Sequence, residues 1–232
     1  MKDTSLLNFE ISNKCNLSAC HHFCPVHLRE KETGRSLTDE LIVELAVEAY
    51  QKHGFTGKIA WHYYNEPMLQ QNRLFRLMKQ IKSIVPQAKF LLWTNATITP
   101  ENEDMSLFSD VYYTNYDNNP DLDAYYKKYI ESVHEVKVNW YDRLSVHKNN
   151  AANYDRCLRP LVEMIITSFG DVRLCCVDWR GNIKMGNVWD DPLWLILEQR
   201  RKIINSMING MNENTPEWCL KCKNKQCGVI TL

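Results

Sequence analysis

Leu6-Leu-Asn-Phe-Glu-Ile11, running into Cys15-Asn-Leu-Ser-Ala-Cys20-His-His-Phe-Cys24-Pro25, decides how the rest of the chain is read. The first part is apolar and β-prone, and the second is a loop carrying three thiols. Working outward, the same unit of apolar strand, polar strand end and amphipathic helix recurs about five times. A helix is expected over 36–53, with Thr38 as N-cap and Leu41, Ile42, Leu45, Ala49 and Tyr50 on its apolar side. Further helices are expected over 74–85 (ended by Pro86), 100–108 and 122–132, and further strands over 58–64, 89–94, 110–114 and 135–140. The strands are apolar throughout rather than alternating, the pattern of a parallel sheet covered by helices. The expected fold is α/β: a partial (β/α) barrel of about five parallel strands over 1–150, followed by a small hairpin–helix domain over 151–232.

Ligands of such sheets sit at the carboxyl ends of the strands. The three-cysteine loop, Asn65-Glu66-Pro67, Thr94-Asn95 and Thr114 each follow a predicted strand, so all are expected to line one mouth. Beyond 140 the pattern changes. Residues 142–156 are polar and irregular, 161–167 and 172–177 read as a hairpin turned at Gly170-Asp171, and 191–211 reads as a helix.

Composition narrows the function. The 28 basic and 28 acidic residues cancel, which gives no sign of an electrostatic nucleic-acid binder, so no nucleic-acid partner is expected. No apolar run reaches membrane-spanning length, and the N-terminus Met-Lys-Asp-Thr-Ser-Leu-Leu has no signal core, so a cytoplasmic location with no membrane partner is expected. Nine cysteines then stand out, and in a reducing compartment they point to metal rather than disulfides. Three lie within the first 24 residues; Cys157, Cys175, Cys176, Cys219, Cys222 and Cys227 lie in the last third. Two thiolate sites follow, for zinc, copper(I) or iron–sulfur clusters.

The first group resembles the signature of radical S-adenosylmethionine (SAM) enzymes, with Phe23 as the aromatic residue before the third cysteine. Each interval between cysteines is one residue longer than in the usual family pattern. The resemblance implies that Cys15, Cys20 and Cys24 hold three irons of a [4Fe–4S] cluster whose fourth iron chelates SAM. It also implies SAM contacts from Asn65, Glu66 and Pro67, of which Glu66-Pro67 match the Glu-Pro half of the family's Gly-Gly-Glu-Pro segment while Tyr64 and Asn65 stand in place of its glycines, and from Thr94, Asn95 and Thr114. Downstream, Gly170, Cys175, the Gly186-Asn187 step, a helix and Cys219-Leu-Lys-Cys222 resemble a twitch domain, the shortened form of the SPASM domain. That likeness implies a second, auxiliary [4Fe–4S] cluster on Cys157, Cys175, Cys219 and Cys222, with Cys227 as a substitute ligand. Cys176, next to Cys175, is expected to point elsewhere.

Over nearly its full length the chain is similar to the radical SAM dehydrogenases that oxidise an aminocyclitol alcohol. This implies a small polar substrate, an alcohol-to-ketone oxidation, a reductant such as flavodoxin or ferredoxin, and a substrate contact at Lys148. The other readings are a peptide-modifying maturase and a non-catalytic zinc-binding interaction protein. Metal analysis separates the last from the rest: anaerobically reconstituted protein is expected to be brown and to carry about eight irons per chain, whereas a colourless zinc protein overturns the cluster reading.

Overall fold

The computed structural model describes residues 1, 4–20, 24–28, 33–100, 102–137 and 156–222. Phe23, Lys148 and Cys227, like His21 and His22, lie outside them. Among the described residues seven strands form one sheet: β1 (Leu6–Phe9), β2 (Lys58–Ala60), β3 (Lys89–Thr94), β4 (Phe108–Tyr113), β5 (Ser132–Glu135), β6 (Glu163–Ile166) and β7 (Val172–Arg173). The order is β5-β4-β3-β2-β1-β6-β7. All neighbours pair in parallel except β6 and β7, so six parallel strands stand where about five were expected. The extra one is the first strand of the C-terminal hairpin: Leu6 to Phe9 pair in register with Glu163 to Ile166. The hairpin thus extends the sheet beside β1.

Seven helices accompany the sheet among the described residues: α1 (Pro25–Leu28), α2 (Asp39–Lys52), α3 (Gln71–Ile84), α4 (Leu122–Lys127), α5 (Arg159–Val162), α6 (Leu193–Ile208) and α7 (Glu217–Leu220). Thr38 caps α2 as expected, accepting from the Leu41 amide at 3.3 Å. Side chains alternate across the sheet. Leu7, Phe9, Ile59, Trp61, Phe90 and Leu92 point into the main core with Ile42, Leu45, Leu74, Leu77 and Met78 of α2 and α3. Trp61 lies between Phe9 and Phe90, with ring centroids 6.1 and 5.9 Å away. The opposite face carries Leu6, Ala60 and Leu91, with Trp93 and Tyr112 beside them. A sheet wound in sequential order with its large apolar face against helices leaves this second face for a ligand.

Several boundaries differ from the sequence expectation, each for a local reason. β2 stops at Ala60, because Asn65 folds the following loop back: its Oδ1 accepts from Tyr63 N at 2.9 Å and its Nδ2 donates to Trp61 O at 3.1 Å. α4 ends at Lys127 and β5 starts at Ser132, three residues earlier than expected. The second hairpin strand ends at Arg173, because the buried Asp178 carboxylate gathers the amides of Asn182 (2.7 Å) and Ile183 (3.0 Å) into a loop. Gly170 makes the hairpin turn at φ 89°, and a Cβ there would lie 2.7 Å from Asn187 Oδ1.

Two arginines fasten the frame. Arg73 of α3 donates to Ile11 O (2.7 Å), Leu37 O (2.8 Å) and Asp39 (2.6 Å), joining the chain after β1 to the start of α2. Arg200 of α6 is buried, which lowers its pKa to about 10, and donates to the carbonyls of Pro160, Leu161 and Glu163. That contact sets the position of α5 and the start of β6.

Burial alone would raise the Asp39 carboxyl, but hydrogen bonds from Arg76 and Arg73 outweigh it and hold the carboxyl below its ordinary value of 3.8. A depressed native pKa stabilises the fold above the unfolded value and loses that contribution as pH falls through the native one. Asp39→Asn is therefore expected to cost about 1–2 kcal/mol at pH 7. The difference from the parent protein in urea unfolding is expected to shrink as pH falls below the ordinary value of 3.8 and through the native one.

Candidate active site and auxiliary-cluster site

The strand ends expected to form a mouth do so, and Glu66 joins them. Its carboxylate is buried and accepts from Thr94 Oγ1 (2.8 Å), Asn95 N (2.7 Å) and Met68 N (3.0 Å). Its own amide donates to Lys14 O at 2.9 Å, in the cysteine loop. Pro67, also buried, starts a short 3₁₀ turn that Glu66 caps. Thr94 also accepts from Ala96 N at 3.1 Å, holding Ala96 at φ 57°, a backbone conformation that costs a non-glycine residue about 1–2 kcal/mol. The Thr114 amide donates to Thr94 O at 3.0 Å, placing Thr114 on the same rim.

Asn95 reaches the cysteine loop directly. Its Nδ2 donates to Asn16 Oδ1 at 2.8 Å and stands 3.7 Å from the Cys15 sulfur. Asn16 in turn donates to Thr97 Oγ1 at 2.7 Å. Cys15 is half-buried, Cys20 exposed and Cys24 buried. Among the described residues no three Cys, His, Asp or Glu side chains are gathered closely enough to hold a single metal ion. A four-iron cluster takes its thiolates at separate corners, and the loop offers it three thiols and an amide donor beside Cys15.

Cys157, Cys175, Cys219 and Cys222 line one small cavity, walled by Val177, Met207 and Trp218. Three different stretches bring them there: the start of α5, the loop after β7, and the turn at α7. Cys157 is fixed by its amide to Met207 O (3.1 Å), and Cys222 by its amide to Cys219 O (3.2 Å). Burial, then the neighbouring Cys176 and Glu163, push the Cys175 thiol well up. A cluster requires thiolates, so binding there releases protons. The four-thiol donor set fits an auxiliary [4Fe–4S] cluster. Cys176 does not line the cavity; it points to Arg159, whose Nη1 donates to its sulfur at 2.9 Å.

Two features escaped the sequence reading. The first is Glu10, a buried carboxylate just after β1 that accepts from Ser168 N (3.1 Å) and Ser168 Oγ (3.4 Å), a second brace across the mouth. The second is a ladder of rings on the face away from α2 and α3: His62 on Trp93 (5.2 Å), Trp93 on Tyr112 (4.7 Å) and Tyr112 on His134 (4.6 Å). The period-2 spacing of Ala60/His62, Leu91/Trp93 and Ser132/His134 carried that signal. Buried among these positions, Asn8 Oδ1 and Trp93 Nε1 have no hydrogen-bond partner among the described residues.

Residues 157–223 match the SPASM family, an iron–sulfur cluster-binding domain. The S-adenosyl-L-methionine-dependent 2-deoxy-scyllo-inosamine dehydrogenase of Niallia circulans is 22% identical over 95% of this chain and 93% of its own length. The crystal structure of BtrN in complex with AdoMet and 2-DOIA superposes with a TM-score of 0.70 at 20% identity, covering 95% of this chain and 92% of that one. Its selenomethionine form, in an open conformation, gives 0.68 at 18% identity over the same shares. This chain therefore has the BtrN fold, and residues 157–223 match an iron–sulfur cluster-binding family. No helix among the described residues is long and apolar enough to cross a membrane.

Glu66→Gln replaces one acceptor oxygen with an amide that faces a protein N–H or O–H. It is expected to cost about 2–3 kcal/mol in urea unfolding. Unchanged stability would show that Glu66 does not brace the mouth.

Proposed function

We propose that this chain, an iron–sulfur domain joined to a BtrN-like α/β sheet, is a radical SAM oxidoreductase that oxidises an alcohol of an aminocyclitol or sugar to a ketone. The observation that carries the reading is the pair of thiol sites on one sheet: three cysteines after β1, laced to β2 and β3 through Glu66 and Asn95, and four cysteines around the cavity beside β6. When bound, SAM with the cluster on Cys15, Cys20 and Cys24 supplies a 5′-deoxyadenosyl radical that takes hydrogen from the alcohol carbon, and the auxiliary cluster supplies an acceptor for the second electron.

The chain's own residues do the aiming. Asn65 and Glu66 hold the loop that faces the SAM amino group, and Thr94, Asn95 and Thr114 supply the polar rim around it. The ring ladder from His62 to His134 floors the substrate space with flat apolar surface. The unpaired Asn8 and Trp93 groups there suit a ligand with several hydroxyls. His62 and His134 place imidazole nitrogens on this face, groups able to accept the hydroxyl proton. Lys148 is retained as a substrate contact and Phe23 as a cofactor contact. Residues 1–150 carry the SAM chemistry and 151–232 the auxiliary cluster. The substrate is a small molecule, with 2-deoxy-scyllo-inosamine as the first candidate from the relative's name. Electrons come from a flavodoxin or ferredoxin in the cytoplasm.

Anaerobic, reconstituted protein with dithionite and SAM is expected to release 5′-deoxyadenosine, faster with 2-deoxy-scyllo-inosamine present. Deuterium at the reacting carbon is expected to appear in that product by mass spectrometry. Cys20→Ala is expected to abolish its formation. Absence of 5′-deoxyadenosine from protein with both clusters intact would overturn the radical reading.

A further inference from the structure

The auxiliary cavity holds a cation as well as thiols. Arg159 lies two residues after Cys157, in α5, and lines the same cavity as Cys157, Cys175, Cys219 and Cys222. One arm of its guanidinium donates to the Cys176 sulfur. Its Nε–H is buried and meets no acceptor among the described residues. Cys176 is itself pinned from two sides. Its amide donates to Glu163 Oε1 at 2.8 Å, and its carbonyl accepts from the Tyr64 hydroxyl at 2.7 Å. Arg159 thus lines the cavity and feels Cys175, while its guanidinium is anchored to a thiol that is not one of the four lining it, with the Glu163 carboxylate nearby.

A buried donor with no acceptor is unfavourable. The acceptor chemistry this cavity offers, once filled, is sulfur: cluster sulfide or cysteine thiolate. We infer that Arg159 is a positioning residue that raises the reduction potential of the auxiliary cluster, with Cys176 as its anchor rather than a cluster ligand. The physics is direct. One-electron reduction adds a negative charge to an already anionic thiolate cluster, and a fixed guanidinium in a low-dielectric cavity stabilises the more negative form more strongly. An N–H···S bond acts in the same direction. In the oxidation proposed above, the substrate carbon gives up a hydrogen atom to the 5′-deoxyadenosyl group. It then gives up one electron to the auxiliary cluster and the hydroxyl proton to a base, and the cluster is later reoxidised by a flavodoxin- or ferredoxin-class carrier. A cluster with a higher potential accepts that electron more readily.

The inference rests on the reading that Cys157, Cys175, Cys219 and Cys222 hold a cluster, and the test keeps the two apart. Full-length protein carrying C15A, C20A and C24A, reconstituted anaerobically, retains only the auxiliary site. Its iron content and a potentiometric titration followed by electron paramagnetic resonance are compared with the same protein carrying Arg159→Gln, Arg159→Met or Arg159→Lys. All are expected to keep about four irons. The two neutral variants are expected to reduce at more negative potential, with a tenfold smaller reduction equilibrium constant, equal to about 59 mV for one electron. Arg159→Lys is expected to recover part of the shift. An unchanged midpoint in a neutral variant overturns the inference. Loss of iron from both neutral variants also overturns it, by making Arg159 a support of the loop. Absence of any cluster in the parent triple variant overturns the ligand assignment, and the tuning with it.

Discussion

The mouth of this protein depends on one buried carboxylate. Glu66 accepts from the hydroxyl of Thr94 and the amides of Asn95 and Met68, while its own amide holds Lys14 O. In a parallel sheet the strand ends on one side are loose by construction, because their amides and carbonyls have run out of ladder partners. A carboxylate taken out of water is costly unless several donors converge on it. Here the donors are the strand ends themselves, so satisfying the charge and fixing the loops are the same event. Glu10 repeats the device between β1 and the turn after β6.

That arrangement places two thiol sites on neighbouring parts of one sheet. β6 pairs with β1, so the hairpin carrying Cys175 starts beside the strand that leads to Cys15. Cys176 is the junction between them. Its carbonyl takes the Tyr64 hydroxyl from the mouth loop, its amide meets Glu163 at the start of β6, and its sulfur takes Arg159. Arg200 holds the backbone beneath that junction from α6. A chemistry that removes a hydrogen atom at one site and an electron at another needs this fixed geometry, because electron transfer and radical abstraction both fail when the partners drift.

Much of this was legible in local residue patterns. The strand over 89–94 and the Thr38 cap stand where periodicity and capping preference put them. The adjacent pair Cys175-Cys176 was expected to diverge, and it does, one thiol to the cavity and the other to Arg159. Glu66-Pro67 was expected directly after a strand; it lies in the loop beyond β2, which ends at Ala60, with the carboxylate turned inward to protein donors. The errors came where a nearby polar side chain bent the backbone out of the strand. Asn65 shortened β2, and Asp178 cut off the second hairpin strand, and neither effect has a periodic signature.

Sequence by itself determined the winding of the sheet, the strand ends that form the rim, and the grouping of the thiols into three after the first strand and six in the last third. Each of these follows from local periodicity, strand-end chemistry or cysteine spacing. Only the tertiary structure decided that the hairpin joins the parallel sheet beside β1, that Glu66 and Glu10 act as braces, that rings from β3, β4, the loop after β2 and β5 stack into one floor, and that Arg159 lines the auxiliary cavity with its guanidinium on Cys176. The reason is physical: a strand's alternation says which residues share a face, but the partner of a buried charge is chosen by whatever donor the whole fold brings within hydrogen-bond reach.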